Sequence, residues 1–156
     1  MRLTTKGQYA VRAMVNLACN SMDKPVTLKD ISEEEGISQT YLEQLFAKLR
    51  QGNVVKSVRG PGGGYILARP ADEISVGDVI IEVEEPLNPV SCLDDKPQEC
   101  EHFNTCTTKK VWQGLGDRIK EFLHSVSIAE LSAEANATAT NGSAKGTETV
   151  CINPPN

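Results

Sequence analysis

The sequence predicts a mainly α fold with a small β-hairpin wing (α+β): a winged helix-turn-helix followed by a long C-terminal dimerisation helix. Three observations carry this. Two amphipathic segments flank the turn Glu35-Gly36-Ile37-Ser38. Two short apolar runs flank Arg59-Gly60-Pro61-Gly62-Gly63-Gly64. Trp112, Leu115, Ile119, Phe122 and Val126 recur at alternating steps of three and four residues, as in a heptad seam.

In chain order, Val11, Met14, Val15, Leu17 and Ala18 give a helical period between Gln8 and Asn20, with Cys19 closing the face as a small apolar residue. After Pro25, Thr27 with Asp30 resembles a capping box and starts a short helix that Gly36 ends. Ser38 caps the next helix, which runs to about Gln51 and buries Leu42, Leu45, Phe46 and Leu49. Val54–Val58 and Tyr65–Ala68 read as the strands of the hairpin. Ser75 with Asp78 starts a helix over Val76–Val83, and residues 86–106 then show no period. The seam helix spans 107–131; one such helix cannot bury its apolar stripe alone, which predicts pairing with a second copy. Four regions follow: 1–84 winged head, 85–106 cysteine-rich loop, 107–131 dimerisation helix, and a disordered Ala/Thr/Asn/Gly/Ser tail over 132–156 that holds Cys151.

The net charge of −5 conceals an asymmetry. Residues 1–70 hold ten Lys/Arg against six acids, a surplus of +4; residues 71–156 hold six against fifteen, a balance of −9. A basic head on an acidic body permits phosphate binding at one end. Five cysteines, an odd number, with no secretory h-region and no membrane-length apolar run, predict a soluble cytoplasmic protein with no membrane partner. The glycine loop lacks the lysine and Ser/Thr of a nucleotide-binding P-loop. No Cys-x-x-Cys, no Ser/His/Asp set and only two histidines argue against catalysis.

The second helix of the pair offers Ser38, Gln39, Thr40, Glu43, Gln44 and Lys48 on its polar face, hydrogen-bonding groups where such helices meet base edges. A polar outer face is also what any solvated helix shows, so the wing decides: Arg59 at its base suits a narrow minor groove, and Gly60 beside it lets the backbone approach the duplex. Cys92, Cys100 and Cys106, spaced Cys-x7-Cys-x5-Cys, can converge on one metal centre. Three thiols with His102 would also suit a structural zinc, although the paired Cys-x2-Cys knuckle is missing.

The segments Tyr41-Leu42-Glu43-Gln44-Leu45-Phe46 and Val58-Arg59-Gly60-Pro61-Gly62-Gly63-Gly64-Tyr65, the opening Met1-Arg2-Leu3-Thr4-Thr5-Lys6-Gly7 and the three-cysteine loop before a tryptophan-bearing helix resemble the family of bacterial iron–sulfur cluster regulators and its winged-helix relatives, from Met1 to about Leu131. The resemblance implies a homodimer that binds double-stranded DNA, carries an iron–sulfur cluster, 2Fe–2S in type, received from cluster donor proteins, and regulates cluster-biogenesis genes. It implies DNA contacts from Ser38, Thr40, Tyr41, Gln44 and Arg59, and a selective role for Glu43, whose carboxylate is repulsive unless a cytosine amino group satisfies it. It also admits a nitric-oxide-responsive 4Fe–4S repressor. One departure stands out. Where the family places a histidine as fourth ligand this chain has Lys109, a poor ligand until it loses a proton. The fourth ligand is open among His102, Gln8 of a partner subunit, Lys109, and other oxygen donors or water.

Overall fold

The computed structural model describes residues 3–22, 24–94 and 100–141. Six helices and one hairpin follow one another: α1 Thr5–Asn20, α2 Leu28–Glu35, α3 Gln39–Gln51, β1 Val55–Val58, β2 Gly64–Leu67, α4 Val76–Glu82, α5 Lys109–Ser125 and α6 Ile128–Asn141. The two strands are antiparallel, with Val55 opposite Leu67 and Val58 opposite Gly64.

Side-chain caps set the helix starts. Thr4 accepts from the Lys6 amide, Thr27 from Asp30 and Ser38 from Tyr41. Ser75 and Asp78 form a reciprocal capping box at α4. Gly36 ends α2 at φ 65°, the left-handed cap a side chain disfavours. Ala10, Ala13, Met14 and Leu17 of α1, Ile31 of α2, and Leu42, Leu45, Phe46 and Leu49 of α3 meet Val54, Ile74, Val79, Ile80 and Ile128 in one core. The small alanines of α1 let neighbouring helices approach closely.

The fold is the expected winged helix-turn-helix, but its C-terminal part differs. The helix expected over 107–131 is two: α5 stops at Ser125, and α6 restarts at Ile128. Two backbone hydrogen bonds stitch the joint to the start of α4, Val76 N–H to Val126 O at 2.9 Å and Ile128 N–H to Ile74 O at 2.8 Å. Ser127 and Glu130 cap α6 reciprocally: Ser127 N–H donates to Glu130 Oε2 at 2.8 Å and Glu130 N–H to Ser127 Oγ at 3.1 Å. Residues 132–141, expected within a disordered tail, continue α6, which packs on α1. Their alanine content explains it: alanine is the best helix former and needs no bulky contact once a neighbouring helix is present. The rest of the expected tail, with Cys151, lies outside the described residues.

Candidate nucleic-acid interface and cysteine segment

The turn between α2 and α3 fixes the polar face of α3. Ser32 Oγ donates to Ile37 O at 2.6 Å, and Ile37 is buried beneath the turn. Leu42, Leu45, Phe46 and Leu49 then point inward, leaving Gln39, Thr40, Glu43 and Gln44 exposed. Ser38 is exposed and its hydroxyl accepts from Tyr41 N–H at 3.3 Å, which leaves its own proton to donate outward. Glu43 is within 3.5 Å of the Gln39 amide, so its carboxylate is only weakly engaged. Tyr41 is half-buried, its ring edge-on to Tyr9 at 6.0 Å, and the Arg12 guanidinium lies 5.7 Å from the Tyr9 ring centroid. α1 thus backs the start of α3.

At the wing tip Gly63 N–H donates to Gly60 O at 2.9 Å across Pro61-Gly62, with Gly62 at φ 71°, the arrangement of a type II turn. Gly60 itself sits at φ 102°. Arg59 is exposed. The wing is anchored at its root: Val26 and Tyr65 form a β-bridge with N···O distances of 2.9 and 2.7 Å, and the Tyr65 ring stands 4.9 Å from that of Phe46. A Cβ on Gly64 would lie 2.4 Å from Val26 O, so only glycine permits this approach. Wing and α3 are therefore held in fixed relation through the core, and Ser38, Thr40, Gln44, Arg59 and Gly60 all belong to this one rigid unit.

The cysteines lie on a different kind of structure. Cys92 is half-buried in a 3-10 turn over Ser91–Leu93, Cys100 is exposed, and half-buried Cys106 precedes α5. Successive turns, Phe103 N–H to Cys100 O and Thr105 N–H to His102 O, both 3.0 Å, carry the exposed His102 between the last two thiols. Among the described residues no three His, Cys, Asp or Glu side chains are gathered to hold a metal ion. The donor chemistry suits a soft centre nonetheless. The Thr108 hydroxyl, 3.3 Å from Cys106 Sγ, with the Thr108 and Lys109 amides and the Lys109 charge, lowers the Cys106 thiol below its ordinary value and favours the thiolate. Burial and the nearby Glu35 and Glu34 push Cys19 the other way, and its thiol lies 3.8 Å from Ser132 O, in a packing role.

For the fourth donor, Lys109 Nζ stands over the Phe103 ring, 3.5 Å from its centroid, in a cation–π contact. Gln8 Nε2 donates to Leu3 O at 3.0 Å, leaving its amide oxygen for other partners.

The residues missed in the sequence are Glu84 and Glu85. Glu85, only 5 % exposed, accepts from Thr4 N–H at 2.8 Å, Thr4 Oγ1 at 2.6 Å and Gly7 N–H at 3.2 Å. It closes the first turn of α1 from 78 residues away, a partnership no local pattern announces. Burial pushes its carboxyl up, but the Thr4 and Gly7 hydrogen bonds and the Lys6 charge outweigh that and hold it below its ordinary value.

A reading head of helix and basic wing, with a thiol-bearing segment behind it, defines a winged-helix transcription regulator. Comparison with known proteins agrees: residues 3–134 match the Rrf2 family, described as iron-dependent transcriptional regulators, and the chain belongs to that family. It is 50 % identical over 131 residues to the HTH-type transcriptional regulator IscR of Yersinia pseudotuberculosis, an alignment covering 84 % of this chain and 79 % of that one. The solved structure of T. potens IscR superposes with a TM-score of 0.70 at 38 % identity, covering 94 % of both chains. CymR of B. subtilis, a global cysteine regulator, gives 0.69 at 34 % identity, covering 86 % of this chain and 98 % of that one. The chain is a regulator of transcription and not an enzyme. Among the described residues no helix is long and apolar enough to cross a membrane.

Proposed function

We propose that the chain acts in the cytoplasm as a homodimer, reads operator DNA with α3 and the wing, and senses an iron–sulfur cluster of 2Fe–2S type delivered by cluster donor proteins. The observation that carries this reading is placement: the three-thiol segment joins the reading head to an arm that, among the described residues, leaves several large apolar side chains exposed. Val111 is 61 % exposed, Leu115 46 % and Phe122 65 %, and Trp112 stands beside them. Such a stripe on one helix asks for a second copy.

In the head, Ser38, Thr40 and Gln44 face base edges while Tyr41 braces the helix against Tyr9. Arg59 and Gly60 approach the minor groove. Glu43 rejects sites that leave its carboxylate without a donor. Cys92, Cys100 and Cys106 would hold the cluster, with His102 or the Gln8 amide of the partner subunit as candidates for the remaining position. The cluster, when bound, supplies a group that oxidant or iron shortage can remove. Because the thiols are spread along the segment, binding and ordering of that segment are coupled.

The test is iron and acid-labile sulfide per chain on anaerobically purified protein, with the visible spectrum. About two of each, bleached in air and absent when Cys92, Cys100 and Cys106 are all replaced by alanine, is the expected result. Four of each would shift the reading to a 4Fe–4S, nitric-oxide-responsive repressor. Zinc alone, or full colour in the triple variant, would overturn the cluster assignment.

A further inference from the structure

The end of α4 carries two adjacent carboxylates that do opposite things. Glu85 turns inward to the first turn of α1, while Glu84 turns outward, its carboxylate paired with Lys48 Nζ of α3. The backbone there is a Schellman motif: Glu84 N–H donates to Ile81 O at 2.9 Å and Glu85 N–H to Ile80 O at 3.1 Å. That motif places Glu84 at φ 56°, a left-handed position where glycine is the favoured residue. A glutamate is present instead, and Lys6 Nζ secures its carbonyl at 2.9 Å. Strain accepted at one residue, whose side chain then reaches the reading helix, points to a use for that side chain.

The use follows from where Lys48 sits. Thr40, Gln44 and Lys48 follow one another at four-residue steps and so lie along one side of α3. Lys48 ends the row of side chains that meets DNA, where its ammonium would reach the phosphate backbone. Glu84 occupies that ammonium. The hydrogen bond and charge of Lys48 hold the Glu84 carboxyl below its ordinary value, so the carboxylate is ionised at neutral pH. Both partners are at the surface, Lys48 35 % and Glu84 74 % exposed, so a phosphate can compete for the lysine.

We propose that Glu84 is an affinity-setting residue: an intramolecular competitor that holds Lys48 away from operator phosphate. The proposal rests on α3 being the reading helix. It makes DNA affinity adjustable at the joint from which the cysteine segment departs, since Glu84 is anchored on both sides by Lys6 and by buried Glu85.

The experiment is operator binding by the full chain at 50 to 200 mM salt, for wild type, Glu84→Gln, Glu84→Gly, and each combined with Lys48→Met. Glu84→Gly suits the left-handed backbone and guards against a folding defect in the glutamine variant. Both single variants should bind more tightly, with the log–log salt slope steeper by about 0.9 per chain, so that their advantage shrinks roughly threefold per chain, about twelvefold for a bound dimer, across that range. Lys48→Met should abolish the gain. No gain, or a gain that survives Lys48→Met and so reflects only a lost repulsive charge, overturns the proposal. Gln44→Ala, measured alongside, separates the premises: unchanged affinity there sinks the α3 reading and this inference with it, whereas a loss there without a gain at Glu84 sinks the inference alone.

Discussion

Two phenylalanines show how differently the two halves of this molecule are built. Phe46, in the head, is fully buried beneath α3 and touches the Tyr65 ring that roots the wing. Phe122, on α5, is 65 % exposed. The head buries its own apolar side chains in one core. The cysteine segment and α5 do so only in part: Ile119 and Leu123 pack on that core, while the thiols are spread along turns and Leu115 and Phe122 face outward. A self-contained head and an arm with exposed apolar side chains follow from one rule: what a chain can bury by itself becomes fixed, and what it cannot stays open to solvent.

The sharpest way to break this contrast is to truncate both rings. Phe46→Ala should cost about 3–5 kcal/mol in denaturant unfolding, since a large cavity opens in a packed core. Phe122→Ala should leave monomer unfolding within about 0.5 kcal/mol but weaken self-association in sedimentation. Equal losses in both would show that α5 belongs to the head's own core.

Glu85 tests where the head ends. Glu85→Gln keeps the shape but turns two of its acceptor positions into donors, and should cost about 1–3 kcal/mol. The same group predicts a pH dependence. Its folded carboxyl titrates below the ordinary value of 4.5, so its stabilisation is complete above that value and is lost as pH falls through the lower folded one. Wild-type Tm should drop more steeply than that of Glu85→Gln on acidification over this window. Parallel curves would mean the carboxylate is not a clamp.

Arg59→Ala should weaken operator binding about tenfold at low salt while leaving dimerisation and Tm unchanged, because the residue is exposed and makes no contact the core needs. An unchanged affinity would favour a protein-interaction role for the wing. The smallest effect belongs to the α5–α6 joint. Ser127→Ala removes one capping partner of α6 and should cost about 1 kcal/mol, read as faster amide exchange in residues 128–131.

Much of this was legible in the chain. Thr27, Ser38 and Ser75 announced helix starts because capping is a local event between residues three apart. The glycine run announced the wing, since positive φ is a property of single residues. The capping box Ser127-x-x-Glu130 was also present and marks the start of α6, but the apolar period of the seam ran through it and concealed the break. Ile119, Leu123 and Val126 turned out to pack on the core while Leu115 and Phe122 face outward. Periodicity names a stripe without saying what covers it.

By itself, then, the sequence determined the helices of the head, the hairpin and its turn, the charge asymmetry and the presence of three thiols in one segment. Each depends on contacts within a few residues or on composition. Tertiary structure alone decided that Glu85 caps α1, that Glu84 meets Lys48, that the Ser75–Ser127 bridge splits the C-terminal helix, and that α6 extends along α1. Those partners lie 36 to 113 residues apart in the chain, and only the closed core brings them within reach.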